Sequence, residues 1–193
     1  MRFRRITITP GGALLLGALV FLLDGAALSA LFAACAAHEL GHVLALWLLG
    51  ARLEGVSVAA TGPILYCEAP QRRLEAAIAA LAGPFIGALF FLAFSRRWTL
   101  AAEMSAVLTA VNLLPVLLLD GGRALFALLS AESFARTLMR AVRIGTIAVL
   151  YLIGAYCAFK GKGPALLLFA LWLTAVPDDT CKTVQDDVKY SYS

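Results

Sequence analysis

The sequence predicts an all-α polytopic membrane protein, with about six transmembrane segments and a short β-hairpin after the second helix. Three observations lead there. Of the 193 residues, 62% are hydrophobic and 15% charged, and the mean hydropathy is +0.88, whereas soluble domains run at about 45–50% apolar and about 25% charged. The apolar residues come in long runs, punctuated by glycine, proline and arginine. One stretch after the second run alternates apolar and polar residues instead of running on, which is the period of a strand. The net charge of +4 is accounted for by arginines at the ends of the runs, so it calls for no nucleic acid.

In chain order, Met1-Arg2-Phe3-Arg4-Arg5 leads into a short apolar run, Gly11 to Leu23. It resembles a secretory leader, but no Ala-x-Ala-like cleavage site followed by a soluble segment appears, so it reads as a first membrane anchor. Asp24-Gly25 is a turn-like pair. Ala26 to Leu49 is the second apolar helix, stopped by Gly50. Residues 53–58 and 64–68, on either side of Thr61-Gly62-Pro63, read as the hairpin. Leu74 to Phe94 is a third helix between Arg72-Arg73 and Arg96-Arg97, and Leu100 to Leu119 a fourth, broken by Pro115. An amphipathic stretch from Arg123 to Arg143 runs into Ile144 to Phe159. Lys160 to Gly163 is a loop and Pro164 to Val176 a last short run. Residues 1–176 thus form one transmembrane domain with its core at about 26–123, and 177–193 are a polar tail. Several runs fall short of the roughly 20 residues of a full span. With the N-terminus in the cytosol, all of the sixteen Lys and Arg except Arg96, Arg97, Lys160 and Lys162 fall on cytosolic segments, the asymmetry of the positive-inside rule. The expected location is the cytoplasmic membrane of a bacterium. Among the four cysteines, none makes a C-x-x-C pair. Cys35 and Cys157 read as small buried hydrophobes, although Cys35 lies one turn before His38.

The chemistry concentrates in His38-Glu39-Leu40-Gly41-His42. These are the chain's two histidines, and residues i and i+4 share a helix face, so both imidazoles can address one metal ion. Glu39 is placed to take a proton from the water that such an ion activates. A catalytic zinc usually has three protein ligands, so a carboxylate or cysteine must complete the set. Asp24, Glu103 and Asp120 lie near membrane depth, and Glu68 joins them if the hairpin dips in. Asp120 stands out, because a lone charge at mid-membrane costs on the order of 2.5–3.5 kcal/mol and zinc would offset that. The competing role for Asp120 is to cap a helix beginning at Gly121. Asn112 and Pro115 are candidate substrate-binding residues. Proline frees a backbone carbonyl where only protein or a cavity can satisfy it, and the Asn112 amide, two turns before Asp120 if the helix continues, can donate to an oxyanion. An interhelical hydrogen bond serves Asn112 equally well. Ala82-Gly83-Pro84 and Gly87 read as a close-packing surface. The hairpin edge can pair with a substrate held as a strand, or be a re-entrant plug.

The histidine motif in an apolar helix, the Asn112-x-x-Pro115-x-x-x-x-Asp120-Gly121 element and the Ala-Gly-Pro helix between them resemble the site-2 protease family of intramembrane zinc metalloproteases, over Ala26 to Arg123. The resemblance implies one Zn2+ per chain on His38, His42 and Asp120, Glu39 as general base and acid, and Asn112 as a substrate or oxyanion contact. It also implies cleavage of a transmembrane segment of a membrane-tethered protein, such as a pro-sigma or anti-sigma factor, with the bilayer and a regulatory membrane partner as context. These 193 residues leave no room for a PDZ domain or a nucleotide-binding domain; in size and in the anchor before the zinc helix the chain is most similar to the sporulation-type group. Two other functions fit parts of the pattern. A metal-ion transporter would use the histidines as a path but needs further intramembrane ligands. An inactive relative acting as a binding partner would tolerate Glu39→Gln in every assay.

Overall fold

The computed structural model describes residues 5–51, 53–59, 62–67, 72–129, 132–161 and 163–175. The chain divides into two compact units, Met1–Leu113 and Leu114–Ser193.

In the first unit, a four-residue strand β1 (Arg5–Ile8) leads into α1 (Pro10–Leu22), α2 (Gly25–Leu48), the strands β2 (Leu53–Ala59) and β3 (Gly62–Cys67), then α3 (Arg73–Phe94) and α4 (Thr99–Asn112). The expected hairpin is present: β2 and β3 pair antiparallel, with Val58 opposite Pro63 and Ala59 opposite Gly62. Gly62 and Pro63 therefore belong to β3 rather than to the turn, and residues 60 and 61 lie outside the described residues. The sheet has a third member, for β1 pairs in parallel with β2, placing Thr7 opposite Ser57. Thr9 fastens this strand. Its N–H and its hydroxyl both donate to the Val58 carbonyl, at 3.0 and 3.1 Å. The same hydroxyl oxygen accepts the Gly12 N–H at 3.1 Å and caps α1, where Pro10 fills the first helical position with no donor to lose.

The helices α2, α3 and α4 pack on one another through small residues. Ala30, Ala34, Ala45, Ala77, Ala80, Ala101 and Ala102 are buried, while Phe32, Trp47, Phe85 and Leu92 point outward. Lipid tails are as apolar as leucine, so large side chains lose nothing by facing them, and close backbone approach supplies the packing. At about 36 and 33 Å, α2 and α3 exceed a hydrocarbon core of about 30 Å.

The second unit holds α5 (Asp120–Leu128), α6 (Glu132–Phe159) and α7 (Ala165–Ala175). The helices α6 and α7 form a hairpin through a turn in which Gly161 and Gly163 adopt positive φ, a conformation glycine takes without strain. A Cβ on Gly154 would meet the Leu167 backbone nitrogen at 2.9 Å, and the Arg143 guanidinium donates to the Leu173 carbonyl at 2.7 Å. That bond satisfies one of the carbonyls that the end of α7 leaves without an intrahelical donor.

Among the described residues, α2, α3 and α6 are long and apolar enough to cross a membrane, and α1 and α7 are shorter apolar helices. The architecture is that of a helical membrane protein, as the composition predicts. Two boundaries differ from expectation. The fourth helix stops at Asn112, because Pro115 lacks an N–H and disfavours helical geometry at Leu114. The amphipathic stretch from Arg123 is divided between α5, which ends at Leu128, and α6, which begins at Glu132. The polar tail lies outside the described residues.

Candidate metal centre

The buried stripe of α2 runs through Ala30, Ala34, His38, Gly41 and Ala45, the spacing of one helical face. Asp24 secures the start of this helix, its carboxylate accepting the Ala27 N–H at 2.7 Å. His38 is 4% exposed, and His42 follows one turn later. Their Nε2 atoms stand 3.2 Å apart, with the rings edge to face.

Two nitrogens bound to one tetrahedral zinc at about 2.0–2.1 Å are about 3.3–3.4 Å from each other. The separation in α2 fits that edge. The protonation pattern fits as well. His42 Nδ1 lies 2.8 Å from the Ala79 carbonyl of α3; a carbonyl only accepts, so Nδ1 carries the hydrogen and Nε2 keeps its lone pair. The Nε2 lone pair of His42 thus faces His38 Nε2, where it can accept a hydrogen from that nitrogen or share a metal ion with it. Such a carbonyl or carboxylate behind a ligating histidine is the usual means of fixing its tautomer.

Glu39 is half-buried, next in sequence to His38 on α2. Asn112 is the last residue of α4 and continues its buried stripe of Ser105 and Thr109. Its Nδ2 donates to the Leu108 carbonyl at 3.0 Å, which engages one of its two amide hydrogens and leaves the other. In the second unit, Pro115 follows the end of α4 by three residues, and Asp120 opens α5 as its first helical residue rather than its N-cap, which is Leu119. Asp120 is 6% exposed, and the helix dipole favours a carboxylate there. Arg123 approaches it to 3.9 Å from a largely exposed position, a geometry worth little in water. A Cβ at Gly122 would run into the Val116 carbonyl, so glycine is what lets the turn at Val116–Leu119 fold onto the start of α5. The other carboxylates considered as ligands are placed differently. Asp24 caps α2, Glu103 is exposed on α4, and Glu68 lies outside the described residues. Cys35 is half-buried on α2.

The structure adds residues that the motif does not contain. A Cβ on Gly41 would strike the Ala82 carbonyl, and one on Gly83 would overlap His42 Nε2 itself. Farther along α3, a Cβ at Gly87 would overlap Thr109 Oγ1 of α4, and Ser105 donates to the Gly87 carbonyl at 2.9 Å. The small-residue surface expected of Ala82-Gly83-Pro84 and Gly87 is thus a packing surface toward both neighbours. That it also bears on a histidine has no signal in the local sequence.

Comparison with known proteins bears on the fold and on part of the sequence. Residues 77–154 match the model of peptidase family M50, a stretch that includes Asn112, Pro115 and Asp120 and begins after the histidine motif. Among solved structures, the chain is similar to the site-2 protease from Methanocaldococcus jannaschii, with a TM-score of 0.63 and 18% identity over 90% of this chain and 89% of that one. No curated protein matches the sequence. The resemblance read from the motifs holds: the chain has the site-2 protease fold and, from α3 into α6, the sequence pattern of family M50.

Proposed function

We propose that this chain, built on the site-2 protease fold, is an intramembrane zinc metalloendopeptidase. It would cut a peptide bond within or beside the transmembrane segment of a membrane-tethered protein, of which a pro-sigma or anti-sigma factor is an example. The observation that carries the reading is the pair of histidine Nε2 atoms 3.2 Å apart, one of them held in the metal-binding tautomer by the Ala79 carbonyl.

His38, His42 and Asp120 would hold one zinc ion. Two imidazoles and a carboxylate are a set found in catalytic zinc sites, and Asp120 is buried, at a helix start and inside the matched family segment. When bound, zinc supplies Lewis acidity, making water nucleophilic at neutral pH and polarising a carbonyl. Glu39 takes the proton from the attacking water on its carboxylate and returns it to the amide nitrogen as that departs. The second amide hydrogen of Asn112 is available to the oxyanion. The peptide bonds of a membrane helix are sheltered by their own hydrogen bonds, so the substrate must be unwound first. The sheet offers a means. Among the described residues β3 lies at one edge of the sheet, and its outer side could receive an extended segment. Pro115 lies close in sequence to Asn112 and would line the same approach. The positive-inside pattern supports an orientation with the N-terminus and the site toward the cytosol.

The test is cleavage of a tagged single-span substrate library co-expressed in membranes, comparing wild type with Glu39→Gln. Products that form with wild type alone and vanish on zinc chelation are expected. Wild-type protein that neither cleaves nor binds zinc overturns the assignment.

A further inference from the structure

We propose that Gly83 is a positioning residue for the metal centre: α3, through the Gly83 backbone and the Ala79 carbonyl, decides which nitrogen His42 offers and where it stands. The inference deepens the zinc reading above and depends on it. The imidazole of His42 lies along a single turn of α3. Its Nδ1 is 2.8 Å from the carbonyl of Ala79, and four residues on, its Nε2 rests where a Cβ of residue 83 would be. The two contacts act on opposite sides of the ring. The first fixes the hydrogen on Nδ1, and the second sets how near α3 the metal-binding nitrogen can come.

The crossing that brings the helices this close is itself made of glycine. A side chain at Gly41 would collide with the Ala82 carbonyl and meet the Gly83 Cα at 2.9 Å, so α2 and α3 touch backbone to backbone one residue before His42. A methyl group at Gly83 leaves two outcomes. Either the ring swings off Ala79 and Nε2 leaves its place beside His38, or the helices part and the carbonyl is withdrawn. Both remove the alignment of the two Nε2 atoms. Gly87, one turn on, provides the comparison. It is as tightly packed, but against Thr109 and Ser105 of α4, with no contact to either histidine.

The experiment measures zinc affinity of the full-length purified protein in detergent for wild type, Gly83→Ala and Gly87→Ala, by competition with a chromophoric chelator, with the cobalt absorption spectrum as a second readout. Gly83→Ala is expected to weaken zinc by about 10–100-fold, the range for loss of an outer contact behind a metal ligand, and to alter the cobalt spectrum. Gly87→Ala is expected to keep both while lowering the melting temperature. Equal zinc affinity and spectrum in wild type and Gly83→Ala overturns the role of Gly83 and leaves the zinc site standing; wild type without zinc overturns both. Should Gly83→Ala not fold, nitrogen NMR of histidine-labelled, metal-free wild type decides. With two histidines to assign, the hydrogen of His42 is expected on Nδ1, and finding it on Nε2 overturns the proposal.

Discussion

The two units of this chain are held together in different ways. A third of the membrane-length stretch of α2 and 28% of that of α3 are buried, against 6% for α6. The α2–α3 contact is made of alanine, glycine and backbone, so one methyl group is enough to disturb it. The α6–α7 hairpin has one such close approach, at Gly154 against Leu167, adds the bond from Arg143 to the Leu173 carbonyl, and leaves its large side chains Leu152, Tyr156 and Phe159 outside. What sets the α2–α3 crossing apart is that its close packing bears directly on two nitrogens held 3.2 Å apart.

Substitutions can break or sharpen this contrast. The largest effect is expected from His42→Ala, which should take zinc from one per chain to none and cleavage to background; zinc retained at full occupancy would disprove the ligand assignment. Next comes Gly122→Ala, where the added methyl meets the Val116 carbonyl. Overpacking of this kind costs about 1–3 kcal/mol, to be read as a lower melting temperature. Arg143→Ala should cost about 1.5–3 kcal/mol, the worth of a hydrogen bond from a charged group. It should speed amide exchange across α7 while leaving zinc affinity unchanged, and a change in zinc affinity would erase the distinction between the regions. Asp24→Ala removes the α2 cap and should cost about 1 kcal/mol, seen as faster exchange at residues 25–28. At the small end, Leu152→Ala on the lipid-facing surface should stay within about 0.5 kcal/mol.

Much of this organisation is legible in the sequence, for reasons of range. The histidine pair is visible because four residues along a helix is one turn. The β2–β3 hairpin is visible because alternation is local and its strands are adjacent. The β1 strand is not, since four residues next to a basic leader carry little pattern and their partner lies fifty residues downstream. The end of α4 at Asn112 is blurred in the sequence because hydrophobicity continues through Leu119 while the backbone has already yielded to Pro115. The hydrogen bond between His42 and Ala79 spans 37 residues and leaves no local trace. The glycine beside it is visible only as a packing residue.

The parallel pairing of β1 with β2 has a consequence for how the chain is made. Both strands belong to one sheet, yet α1 and α2 lie between them in sequence, so the polypeptide must go into the bilayer and come back before residue 58 can reach Thr9. During synthesis β1 is complete long before its partner exists. Closure of the sheet, with the Thr9 hydroxyl bridging Val58 and the first turn of α1, therefore reports that the chain has returned to the side it started from. A chain in which α2 crossed but α1 did not enter would leave the two strands on opposite sides of the bilayer, with a row of backbone groups unmatched.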